Sequence, residues 1–184
     1  MTSLILIRHG ETDWNVIGRY QGQADPPLNQ RGLEQARQLA EELSDAGLEL
    51  IYTSPLRRAA QTAQIIADRY ELRVFHEPRL MEIHQGDWQT LLRSEIESRY
   101  PQLFSRWETE PWEVTPPHGE NLSQVQIRVK AAIDDILSRN ADKRIGIVAH
   151  RIPIALIKMC FQGLDPDIVR TLNLPNTYHE VIEI

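Results

Sequence analysis

The chain has 184 residues, enough for one domain or for one core carrying a small cap. Hydrophobic residues make up 41% and charged residues 25%, an ordinary balance for a soluble globular protein, while a net charge of −6 argues against nonspecific nucleic-acid binding. No stretch approaches the roughly 20 apolar residues of a membrane span, and Arg8 interrupts an amino-terminal apolar run too short for a signal peptide, so the expected location is cytoplasmic.

Residues 3–8 form a continuous apolar run, the pattern of a strand buried on both faces of a parallel sheet. Residues 10–28 have no helical period and carry Gly18, Gly22, Pro26 and Pro27, which predicts a long loop. Asn29 is placed to cap a helix running to about Ala46, with Leu33, Ala36, Leu39, Ala40 and Leu43 on its apolar face and Gly47 as a stop. Leu50 to Thr53 reads as a second strand. Ser54 is expected to cap the following helix, with Pro55 at its first position. Leu56, Ala59, Ala60, Ala63, Ile66, Ala67 and Tyr70 line one face of that helix, and Arg73 to Phe75 reads as a third strand.

Residues 76–120 differ in texture. They hold Trp88, Trp107 and Trp112, and Pro101, Pro111, Pro116 and Pro117 break the segment into short pieces, which predicts a helical cap inserted over the sheet edge. The tryptophans near 107–112 read as cap core rather than as a stacking platform for bases. Residues 120–139 carry Leu122, Val125, Val129, Ala132, Ile133 and Ile136 at helical spacing. Ile145 to Ala149 is another buried strand, followed by a helix from about Pro153 to Phe161. The lone cysteine, Cys160, lies in that helix and reads as a core filler, since no activating neighbour is apparent. Val181 to Ile184 closes the sheet as an edge strand, and such an edge offers a surface for pairing in a homodimer. Strands alternating with helices predict an α/β fold: a three-layer sandwich with a mostly parallel central sheet, helices on both faces and a small helical cap.

In such folds ligands sit beyond the carboxyl ends of the strands. Arg8 and His9 follow the first strand, Ser54 to Arg58 follow the second, and His150 follows the late strand, so topology predicts that they meet at one edge. Two guanidiniums, Arg8 and Arg58, suit a phosphate dianion through forked, charge-assisted hydrogen bonds. A neutral imidazole can attack the phosphorus, and charge building on the equatorial oxygens would be met by the arginines and His150. The leaving alcohol needs a proton. Glu82, between the apolar residues of Leu80-Met81-Glu82-Ile83, is the best-placed acid, because an apolar setting raises a carboxyl pKa. Each of these residues taken alone is more often structural. The remaining histidines, His76, His84, His118 and His179, are scattered and show no metal-ligand spacing.

Taken together, the motifs resemble the histidine phosphatase superfamily, also called phosphoglycerate mutase-like. The resemblance is carried by Arg8-His9-Gly10-Glu11-Thr12-Asp13-Trp14-Asn15, Gly18-Arg19-Tyr20-Gln21-Gly22, Asp25 to Asn29, and Thr53-Ser54-Pro55-Leu56-Arg57-Arg58-Ala59. It continues through Glu82-Ile83, Gly86-Asp87-Trp88, Gly119-Glu120-Asn121 and Val148-Ala149-His150, in order and from end to end. It implies one histidine phosphatase domain over 1–184, with the cap at approximately 76–120. It implies His9 as the phosphorylated nucleophile, Glu82 as proton donor, and Arg8, Arg58 and His150 as the phosphate clamp. Asn15, Gln21 and Gly22 would touch the phosphate or the substrate from the long loop. No metal and no other cofactor is implied, and the partner is a small phosphorylated metabolite rather than a nucleic acid or a membrane.

Within the superfamily the mutases carry a longer cap insertion, and a shorter cap leaves a phosphoenzyme open to water. That favours a phosphomonoesterase. The stretch from Tyr100-Pro101 to Glu110-Pro111 looks like the metal-independent phosphoserine and broad-specificity phosphatases, with phosphoglycerate mutase, α-ribazole phosphate phosphatase and phosphosugar phosphatase as alternatives. A non-enzymatic phosphate-binding module is a further alternative, against which the presence of an acid argues. Two positions depart from the family pattern, which usually has glycine where Arg151 and Thr90 stand. Arg151, at the start of the helix after His150, is expected to contact a second anionic group on the substrate; the other reading is a solvated arginine at a helix start.

Overall fold

The computed structural model describes all residues from 1 to 184. Five strands form one sheet: β1 (Ser3–Arg8), β2 (Leu50–Thr53), β3 (Arg73–His76), β4 (Arg144–Ala149) and β5 (His179–Glu183), in the order β3-β2-β4-β1-β5. All neighbours pair in parallel except β5, which runs antiparallel along the outer edge of β1. The expected mostly parallel α/β sheet is what the chain forms.

The side-chain alternation of β1 explains the layers. Leu4 and Leu6 face α6 (Leu122–Arg139) and α7 (Arg151–Gln162), in a core that also takes Ile145, Ile147 and Ala149 from β4. Ile5 and Ile7 face the other way, with Ile51 and Val148, onto α2 (Gln30–Glu42) and α3 (Arg57–Tyr70). Both faces are covered, so an unbroken apolar run was needed. Between β3 and α6 lie short pieces, among them α4 (Arg93–Arg99) and α5 (Pro101–Thr109). They close on a cluster of their own, Trp88, Ile96, Phe104 and Val114. The Trp112 indole N–H ties this region to the carbonyl of Pro166, just before α8 (Ile168–Thr171). No helix is long and apolar enough to cross a membrane.

Several boundaries differ from the sequence expectation. The segment 10–28 is not all loop: α1 (Asp13–Ile17) forms inside it, capped reciprocally by Thr12 and Asn15. Ser54 does not cap the next helix. That helix starts at Arg57, and its cap residue Leu56 offers no side-chain bond. The helix after Asn29 ends at Glu42, four residues before Ala46, and α7 begins at Arg151, with Pro153 tolerated in its first turn. Asn29 and Asn121 cap α2 and α6 through their side-chain oxygens, which accept from the amides of Gly32 and Gln124.

Candidate active site

Strand register builds the centre of the site. Arg8 of β1 lies opposite Ala149 of β4, so the next residues, His9 and His150, emerge side by side, with ring centroids 5.1 Å apart. Thr53 of β2 lies opposite Val148, which brings Ser54 against the same point; its Oγ is 2.8 Å from Nε2 of His150. The turn after β1 is pressed on the start of α2. A Cβ at Gly10 would stand 2.6 Å from the carbonyl oxygen of Gly32, so only glycine fits behind His9.

A cavity of about 190 Å³ opens at this edge. Of the residues expected at the site, Arg8, His9, Asn15, Gln21, Gly22, Arg58, Glu82 and Arg151 line it. His150 does not: it is fully buried behind the wall, next to His9. Tyr20, Gln85, Trp107 and Ile152 complete the lining and were not singled out from the sequence. Tyr20 lies within the motif Gly18 to Gly22. Trp107 gave no such signal, because one edge packs on Trp88, centroids 5.8 Å apart, while it also faces the cavity.

The two imidazoles are held in defined states. Nδ1 of His9 donates to the carbonyl of Gly10 at 2.7 Å, which leaves the lone pair on Nε2. Burial holds the His9 pKa well below its usual value, and the nearby charges of Arg58 and Arg8 lower it further. His150 is lowered by the same causes, burial first and then Arg58. Nδ1 of His150 is buried with no hydrogen-bond partner in the protein. Glu82 moves the other way. Burial raises its pKa, against the pull of the Ile83 amide and the Arg58 charge.

Arg58 is 1% exposed and its guanidinium is tied to the loop: Nη1 donates to the carbonyl of Ala24 at 2.8 Å and Nη2 to that of Gly22 at 2.7 Å. Burial brings its pKa down to about 10. Gly22 takes a left-handed φ of 49°, and a Cβ there would meet Oε1 of Gln89 at 2.4 Å. Arg8 donates to the carbonyl of Leu174, and burial lowers its pKa also. The Nε atoms of both arginines are buried without a partner. Asn15 is fixed by Thr12 and by Asn176, whose side chain donates to the carbonyl of His9 at 3.1 Å as well. Nowhere in the fold do three His, Cys, Asp or Glu side chains form a group that could hold a metal ion.

Residues 4–184 match the histidine phosphatase superfamily (branch 1). Phosphoserine phosphatase 1 of Hydrogenobacter thermophilus is 39% identical over 184 residues, 100% of this chain and 87% of that protein. The probable phosphoglycerate mutase GpmB of Serratia proteamaculans is 36% identical over 180 residues, covering 96% of this chain and 82% of that protein. Among solved structures, Bacillus stearothermophilus YhfR is 33% identical with a TM-score of 0.94, over 100% of this chain and 92% of that one. Sequence match, sheet order and the paired histidines agree, and the chain belongs to the histidine phosphatase superfamily.

Proposed function

We propose that the protein is a phosphomonoesterase for a small phosphorylated metabolite, acting through a phosphohistidine on His9 without a metal. The observation that carries the reading is the state of His9: neutral, its Nδ1 pinned to Gly10, its Nε2 free on a cavity lined by Arg8 and Arg58. A neutral imidazole is a nucleophile, and an imidazolium is not. The two guanidiniums hold the phosphate dianion and keep the imidazole unprotonated until it arrives. Nε2 forms the bond to phosphorus as the bond to the ester oxygen breaks, and Glu82 gives its proton to that leaving oxygen. Glu82, now a carboxylate, takes a proton from water. That water attacks the phosphohistidine, and phosphate departs with Glu82 protonated again. We assign His150 to the equatorial oxygens through Nδ1, the ring nitrogen that no protein group uses; because the ring lies behind the cavity wall, this contact requires the wall beside His9 to open as the phosphate seats.

Asn15, Gln21 and Gly22 shape the rim of the phosphate site. Residues 1–184 serve as one domain, with 76–120 as the cap over the cavity. We place the enzyme in the cytoplasm and assign any homodimer contact to the exposed edge β5. The mutase alternative rests on the likeness to the probable phosphoglycerate mutase. One experiment separates the readings. The parent and His9→Ala are mixed with radiolabelled phosphoserine and chelator, then quenched. Label bound in the parent in an alkali-stable form, absent from His9→Ala, with phosphate accumulating and no bisphosphate primer needed, supports the phosphatase. With labelled phosphoglycerate in place of phosphoserine, isomerisation that requires a primer and releases no phosphate identifies a mutase, and loss of phosphoserine hydrolysis under chelation removes the metal-free mechanism.

A further inference from the structure

The catalytic cavity continues into a second one of about 230 Å³, and the two share Tyr20, Trp107, Arg151 and Ile152. The outer cavity lies between the cap, which supplies Arg93, and α8, which supplies Arg170. Those two cations are already matched, Arg93 by two carboxylates of which Glu108 also lines the outer cavity. Arg93 pairs with Glu97 at 3.1 Å and with Glu108 at 2.6 Å. Arg170 grips Asp167 with two bonds, 2.8 and 3.0 Å long. Arg151 has no carboxylate within ion-pair distance. One of its N–H groups donates to the carbonyl of Arg170 at 3.2 Å, which orients the guanidinium and leaves the rest of the fork free.

The charge count then distinguishes the two cavities. Arg8 and Arg58 match the two charges of a phosphate dianion, and Glu82, the carboxyl on the same wall, is held toward its neutral form. Arg151 is the guanidinium of the outer cavity that no carboxylate pairs, and it stands at the boundary where the leaving alcohol must lie. We propose that Arg151 makes the outer cavity a second anion subsite, binding a carboxylate on the alcohol part of the substrate, so that the preferred esters are those of hydroxy acids. The inference rests on the phosphatase reading of the inner cavity. A single unmatched guanidinium suits a carboxylate, whereas a second phosphate would bring one negative charge too many. Tyr20, Trp107 and Ile152 give the connecting carbons an aromatic and aliphatic wall.

Binding of non-hydrolysable probes tests this without requiring turnover. Phosphonopropionate and propylphosphonate differ only in a carboxylate against a methyl group. By calorimetry, the parent should bind phosphonopropionate roughly 10- to 100-fold more tightly, the value of a charge-assisted hydrogen bond. Arg151→Gln should remove that preference by weakening phosphonopropionate far more than propylphosphonate, and the propylphosphonate binding that remains reports an intact inner cavity. Arg151→Lys should keep part of it. Equal affinities in the parent, a preference that survives in Arg151→Gln, or equal weakening of both probes would overturn the proposal, as would tighter binding of ethylenediphosphonate. If the parent binds no phosphonate at all, the phosphate reading of the inner cavity fails, and this one with it.

Discussion

The hydroxyl of Ser54 is bonded to Nε2 of His150 at the junction of β2 and β4, 2.8 Å away. The same oxygen accepts the Leu56 amide at 3.3 Å, and its own proton is available to the ring. With Ser54 as donor the ring proton sits on Nδ1, the nitrogen we assign to the phosphate oxygens. Ser54→Ala frees the tautomer, and kcat should fall about 5- to 10-fold, the worth of one hydrogen bond, with KM little changed. Steady-state rates on one ester decide it. A rise in KM at constant kcat would show that Ser54 serves binding alone.

Arg128 should govern Glu82, the acid we propose as proton donor. Its guanidinium donates to the carbonyls of Arg79 and Met81 at 2.7 Å and of Glu82 at 3.1 Å, and pairs with Glu120 at 2.9 Å. Glu120 in turn accepts the amide of His84 at 2.8 Å, so one ion pair fixes the backbone on both sides of Glu82. General acid catalysis contributes roughly 100- to 10,000-fold when the leaving group is a poor one. Glu82→Gln should lose about that much on an alkyl phosphate and far less on p-nitrophenyl phosphate, whose leaving group needs no proton. Arg128→Lys should show the same substrate bias more weakly. Equal losses on both esters would reduce Arg128 to a fold-stabilising residue.

Stability should depend on pH through the buried site. His9 and His150 have depressed pKa values, so the unfolded chain binds more protons than the folded one once pH falls through the ordinary histidine value. Stability is present above about pH 6.5 and is lost below it. Glu82 has the opposite sign: its raised pKa means the folded state holds the extra proton, and stability declines as pH rises above the ordinary carboxyl value of about 4.3. Urea unfolding across pH should show the acid loss, and replacing both histidines by glutamine should flatten it. Glu82→Gln should raise the neutral-pH melting temperature. An unchanged midpoint would show that the buried carboxyl carries no cost.

Thr90→Gly should stabilise the fold. Thr90 sits at φ 72°, a left-handed conformation that costs a residue with a Cβ about 1 to 2 kcal/mol. The flexibility of glycine in the unfolded chain gives back about 0.5 to 1 kcal/mol, so a gain of up to about 1.5 kcal/mol is expected. The backbone bond from the Thr90 amide to the Tyr20 carbonyl, 2.9 Å, is unaffected by the change. Thermal unfolding measures it, and a lower melting point would mean that the hydroxyl contributes more than the strain costs.

Much of the fold was legible because β1 and β4 are buried on both faces and can only be written as Leu4-Ile5-Leu6-Ile7 and Ile145 to Ala149. Their common direction then brings His9, Ser54 and His150 together without any long-range information. Local chemistry misled at Ser54, which has the composition of a cap but whose hydroxyl is engaged by His150. The helix Asp13–Ile17 is five residues long, below the length at which periodicity registers, and only the Thr12 and Asn15 pairing marks it. Trp107 and Gln85 were missed because a cavity wall is made by packing between distant segments, and side chains that serve two environments carry no pattern of their own. His150 was placed correctly in the chain, yet its burial behind His9 follows from strand register rather than residue type.

The seat of Arg58 joins the proposed anion site to its rim. Two of its nitrogens carry the carbonyls of Gly22 and Ala24, while Nε waits unclaimed in the same buried space. An anion that draws this guanidinium inward therefore tugs on the main chain of the mouth. Occupancy and ordering of the entrance become one equilibrium, and protection of residues 21–25 from amide exchange should rise and fall with ligand concentration.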